Sequence, residues 1–175
     1  MTTAGTLMFA CDAMLGGLAR WLRAAGYDAS WKADISDWDL IRLARYENRM
    51  LLSSDSGIFL RGVIRDGEVP ALFVPRGLGI LEQLTFVLRE LDLPLRESRC
   101  MTCGGVLIEI SKDQAQGRVP ERSFAWMNQF WECDRCRHVF WHGTHWPRIM
   151  KQLQRASKAD ASGDRDDLAD ENMVS

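Results

Sequence analysis

An α/β domain with a mostly parallel sheet, followed by a small cysteine-rich module, is the fold class that this sequence predicts, on three observations. Short apolar runs alternate with stretches of helical periodicity over the first 98 residues. Two of those apolar runs lead directly into aspartates, Asp12 and Asp55. Near Pro94 the periodicity fades, and two Cys-x-x-Cys pairs follow.

Each element can be justified in order. Leu7-Met8-Phe9-Ala10-Cys11 reads as a buried strand ending at Asp12. Leu15, Leu18, Ala19, Leu22 and Ala25 recur at helical spacing, and Gly26 stops that helix. Tyr27 to Trp31 is the second strand. Ser36 or Asp37 caps a helix with Leu40, Ile41, Leu43 and Ala44 on one side. Met50-Leu51-Leu52-Ser53 is the third strand, and a short helix around Ile58 to Ile64 follows it. Pro70 and Pro75 bound the fourth strand, Ala71 to Val74, and Leu81, Leu84, Val87, Leu88 and Leu91 mark the last amphipathic helix. A β-α repeat of this kind folds into a parallel sheet with helices on both faces. Ligands of such sheets bind outside the carboxyl ends of the strands, where Asp12 and Asp55 are expected.

Composition narrows the classes. The 175 residues have room for one domain of ordinary size and a small one, and 46% of them are apolar. No run of 18 apolar residues exists, which argues against a membrane span. Residues 1–6 lack the basic-then-apolar pattern of a secretory signal. Four of the five cysteines fall in pairs, the arithmetic of a metal site in a reducing compartment, so a cytoplasmic protein is expected. The net charge of −2 is unevenly spread: +4 over residues 99–155 and −4 over residues 156–175. The basic stretch is where a polyanion would sit, although charge alone fits ordinary surface equally well. The expected organisation is an α/β domain over 1–96, a four-cysteine module over 97–155 and an acidic, disordered tail over 156–175.

Cys100-Met-Thr-Cys103-Gly-Gly and Cys133-Asp-Arg-Cys136 are two metal knuckles, with 29 residues between them. Four thiolates close a tetrahedron around a structural Zn²⁺ and leave no open position for catalysis. A redox pair would need a thioredoxin-like context that is absent. His138, His142 and His145 are then surface or supporting groups, and Cys11 is a small buried hydrophobe.

Asp12, Asp34, Asp37, Asp39 and Asp55 all fall at or just beyond predicted element ends. Carboxylates converging there hold Mg²⁺ or Mn²⁺ in metal-dependent nucleases. The residues by themselves leave open whether these acids bind metal, cap helices or face solvent. A receiver domain would need an acidic pair after the first strand, and a haloacid-dehalogenase-type phosphatase would need Asp-x-Asp; Asp12-Ala13-Met14 supplies neither.

Asp12-Ala-Met-Leu-Gly-Gly-Leu-Ala-Arg-Trp-Leu-Arg-Ala-Ala-Gly-Tyr-Asp28 resembles the opening of the Mut-seven C-terminal RNase family, a PIN-like group. Asp34-Ile-Ser-Asp37 and Leu51-Leu-Ser-Ser-Asp55 are similar to its next two blocks, and the paired cysteines with Phe140-Trp-His-Gly-Thr-His-Trp146 are similar to its zinc-ribbon ending. The resemblance covers roughly residues 6–153. It implies a PIN-like fold and metal-dependent endoribonuclease chemistry, with Asp12, Asp37 and Asp55 as the metal-binding acids and Asp34 and Asp39 as further candidates. Two departures stand out: Ser53-Ser54-Asp55 replaces the family's usual Thr-Arg-Asp, and Pro75-Arg76 stands where PIN nucleases often carry a further acid. RNA is the expected partner, with Arg20, Arg23, Arg135 and Arg137 as candidate phosphate contacts. The rival expectation is a non-catalytic RNA- or protein-binding adaptor whose acids are structural.

Overall fold

The structure is a computed structural model, and it describes residues 7–158. Four parallel strands, β1 (Met8–Cys11), β2 (Asp28–Trp31), β3 (Met50–Ser53) and β4 (Ala71–Phe73), lie in the order β2-β1-β3-β4. Side chains alternate across the sheet with a period of two, so the strands β1, β3 and β4 feed two cores, whereas β2 gives Ala29 to one of them. Phe9, Cys11 and Leu52 face α1 (Gly16–Ala24) and α5 (Ile80–Glu90), whereas Ala10 and Leu51 face α2 (Asp37–Tyr46), α3 (Ser56–Phe59) and α4 (Gly62–Arg65). The chain runs from β1 outward to β2, then returns across β1 to β3. The order of the strands therefore reverses between β1 and β3, which is where parallel α/β sheets open a binding crevice.

Gly26 ends α1 with φ at +98°, a conformation that costs glycine little. The Ser36 hydroxyl caps α2 by accepting from the Asp39 amide at 3.2 Å. The helix expected around Ile58 to Ile64 is split into α3 and α4, because Arg61 between them has extended backbone.

Past Pro94 a second, antiparallel sheet forms from β5 (Leu107–Ile110), β6 (Phe130–Cys133) and β7 (Val139–Phe140), in that order. The short helices α6 (Lys112–Ala115) and α7 (Glu121–Trp126) belong to this module, where Ala115, Val119, Phe130 and Val139 make a small core of their own.

The chain then returns to the first domain. Helix α8 spans Trp146–Lys158. Ile149, Met150, Leu153 and Ala156 form one apolar face that packs against α5 and joins the first core. Ala156, expected to begin the tail, is 4% exposed. The remaining tail, residues 159–175, lies outside the described residues.

Candidate functional site

Asp12 and Asp55 stand on either side of the crevice between β1 and β3. Asp12 is buried to 8% exposure, yet its carboxylate is fully engaged. One oxygen accepts from the Ala13 amide and the other from the Ser53 hydroxyl, each at 2.6 Å. The same Ser53 oxygen accepts from the Asp55 amide at 2.9 Å. One serine at the end of β3 thus ties both acidic strand ends together. The Asp12 amide adds a further link by donating to Leu52 O at 3.0 Å. Asp55 caps α3 by accepting from the Gly57 amide at 3.0 Å, and Arg76 lies 3.5 Å from its carboxylate.

The other acids are farther apart in role. Asp37, the first residue of α2, pairs with Arg61 at 3.6 Å, and the Arg61 guanidinium also sits 5.0 Å over the Trp38 ring. Asp39 is exposed; the Ser36 hydroxyl and then Arg42 hold its carboxyl below the usual carboxylate range. Asp34 is exposed on the turn after β2. Among the described residues, no three carboxylates bring their oxygens within 4.8 Å of one another.

The four cysteines do converge. Their sulfurs all lie within 4.8 Å of one another, with Cys100 to Cys136 at 3.6 Å and Cys103 to Cys133 at 3.4 Å. A tetrahedron with bonds of about 2.3 Å has edges of about 3.8 Å, so this donor set fits a Zn²⁺ ion. Backbone N–H groups of Arg135 and Cys136 point at the Cys133 sulfur from 3.4 and 3.5 Å. Burial opposes ionisation of Cys133, but those amides and the neighbouring thiols outweigh it and bring the thiol down to about 7. Gly105 is required here, since a Cβ would fall 2.5 Å from the Cys133 sulfur. The histidines stay out of this set: His142 stacks on Trp146 and lies against Trp131, with ring centroids 4.4 and 4.3 Å away. Cys11 is fully buried, and burial pushes its thiol up to about 12.

The two modules meet at a junction that periodicity does not reveal. Asp28, 5% exposed at the start of β2, receives Arg49 at 3.1 Å and Arg135 at 2.8 Å, with Arg99 at 3.7 Å. Burial pushes the Asp28 carboxyl up, but hydrogen bonds from Arg49 and Arg135 outweigh it and hold it below the usual range. Arg23, expected from the sequence as a phosphate contact, completes the junction. It is 5% exposed, and it donates to Ala29 O at 2.8 Å, Met101 O at 3.0 Å and Thr102 O at 2.9 Å. A guanidinium so occupied is a strut between α1 and the first knuckle. Arg20 is exposed, whereas Arg135 is half-committed to Asp28, and Arg137 is exposed beside Glu132 at 2.7 Å. The sequence alone did not point to Ser53, Asp28 or Arg49. The only signal for any of them was a polar residue at the beginning or end of an apolar run.

Fold and site together define a parallel α/β domain with an acidic carboxyl edge, braced by a four-cysteine module that suits zinc. A family model for the Mut7-C RNAse domain matches residues 7–153, and the chain belongs to that family. The family carries a ribonuclease-type function, which makes RNA the substrate class. No curated protein and no solved structure matches the chain.

Proposed function

We propose that this protein is a PIN-like endoribonuclease that uses Mg²⁺ or Mn²⁺ at Asp12 and Asp55, with the zinc module helping to hold RNA. The observation that carries this reading is the Asp12–Ser53–Asp55 linkage across the strand-order reversal. Mg²⁺ is commonly held by one or two carboxylates together with substrate phosphates, so two acids on adjacent strands are an adequate donor set. When bound, the ion would supply charge neutralisation at the phosphate and a more acidic water. The chain's own residues do the positioning. Ser53 orients Asp12, and the Ala13 amide holds its second oxygen. Arg76, exposed beside Asp55 where many PIN nucleases have an acid, would meet a phosphate oxygen in place of a further metal ligand. Asp37 would join the site on release from Arg61.

RNA cleavage followed across a divalent-ion titration tests this. Asp12→Asn and Asp55→Asn should each lose nearly all activity, and the double variant should be little worse, because residues acting as a unit are not additive. Asp39→Asn should cleave normally. The adaptor reading rests on the pairing of Asp37 with Arg61 and Asp55 with Arg76. It predicts no divalent-dependent cleavage in the wild type, and that result would remove the nuclease assignment.

A further inference from the structure

We infer that Trp31 is the base-stacking platform of the site, so that the substrate is unpaired rather than duplex RNA; this rests on the ribonuclease reading above. Trp31 ends β2, the strand beside β1, in register with Cys11. It therefore stands one strand from Asp12, about 5 Å away in the sheet direction. Its indole is fixed: Nε1 donates to Ala13 O at 2.9 Å, the carbonyl of the residue next to Asp12. The ring lies against Gly16, where a Cβ would fall 2.7 Å from Cε2 and Cζ2. Glycine at the start of α1 thus permits a ring-to-backbone contact that any other residue would displace.

A large apolar side chain so pinned would ordinarily be covered, yet Trp31 remains 38% exposed. It borders a cleft of about 310 Å³ that runs along β2 to the first zinc knuckle, walled by Ser30, Thr102 and Arg135 together with the carboxylates Asp28 and Glu47. That volume falls at the lower end of small-ligand sites. The Arg135 guanidinium, 48% exposed, faces the cleft and keeps free N–H groups beside the one it gives to Asp28 at 2.8 Å. A flat, immobilised aromatic face with a cation lining the same cleft is the pairing that single-stranded nucleic acid uses, bases on the ring and phosphate on the cation. Bases within a duplex are already stacked on their neighbours and cannot reach such a ring without being unpaired. Trp31 so placed would hold the nucleotide flanking the phosphate at Asp12, and it would join the zinc module to the cleavage site through the substrate.

The test uses the full chain with zinc bound and a fluorescein-labelled, unstructured oligoribonucleotide. Binding is read by anisotropy without added divalent ion, and cleavage by KM and kcat with it. Trp31→Leu keeps apolar volume but cannot stack, and it should weaken binding and raise KM by roughly 5- to 150-fold while leaving kcat close to wild type. Trp31→Phe should recover most of the loss. Tyr46→Ala is the control, because that ring is 91% exposed at the end of α2, just before β3 begins. It should change neither quantity. Wild type should also prefer the single strand over a duplex of the same length. Equal affinity for both, or folded Trp31→Leu protein with unchanged binding and KM, overturns the inference. Trp31-dependent binding in a protein that never cleaves would instead leave this platform standing and remove the nuclease reading.

Discussion

Replacing Arg23 with alanine should loosen the zinc module rather than weaken RNA binding directly. The guanidinium is nearly inaccessible and supplies three carbonyls, two of them on the first knuckle. A buried acceptor left without its donor costs about 1–3 kcal/mol, and water entering the space would recover part of that. Across three acceptors the expected loss is about 2–5 kcal/mol, a large share of the roughly 5–15 kcal/mol by which domains are stable. Arg23→Lys keeps the charge but not the fork, so it should recover less than half of the loss. The assay pairs urea unfolding with the rate of zinc transfer to a chromogenic chelator. Both should change in Arg23→Ala, with faster zinc release at urea concentrations where the wild type is intact. The reasoning is refuted if Arg23→Ala unfolds and releases zinc as wild type does. Weaker RNA binding with a shallower salt dependence would then point to a phosphate contact after all.

Three further outcomes follow from the same geometry. Because the four thiolates are the main cross-link of residues 99–140, one zinc per chain should copurify, and Cys133→Ser should lose both the metal and the near-ultraviolet tryptophan signal; protein purified without chelators that contains no zinc would contradict this. Asp28 has a depressed carboxyl in the folded state, so its contribution is present above the unfolded value of about 3.9 and is lost as pH falls through the folded one. The wild type should therefore lose stability on acidification below about pH 4, and Asp28→Asn should lack that component; identical acid profiles would remove the junction's role. Arg137→Ala removes an exposed cation, and it should shallow the salt dependence of RNA binding by roughly 0.7 in log–log slope if that residue meets a phosphate, whereas an unchanged slope assigns it to Glu132 alone.

Ser53 shows where sequence reading stops. In the chain it is one of two serines before Asp55. Only the pairing of β3 with β1 brings its hydroxyl to Asp12, 41 residues away. Arg20 and Arg23 illustrate the same limit within one helix. Both are arginines on α1, but the docking of the first knuckle buries Arg23 and leaves Arg20 in solvent. Helix α8 is a third case, since nothing local to residues 146–158 indicates the α5 surface that they cover.

Local chemistry determined much by itself. Apolar runs between polar turns specify the strands, because each must bury side chains on both faces of the sheet. Serine and glycine at their ends set the caps through hydrogen bonds and backbone freedom within a few residues. The cysteine spacing specifies a metal site because ligand type and a two-residue gap suffice to form a knuckle. Tertiary structure alone decided the strand order, and with it the reversal between β1 and β3 that brings Asp12 and Asp55 to one crevice. It also decided which cations are spent inside: Arg23 meets the carbonyls of the first knuckle only when the two modules dock, and Arg49 meets Phe9 O and Asp28 only when the parallel sheet has formed. Those interactions join groups distant in sequence, and their energy depends on burial, which no local pattern records.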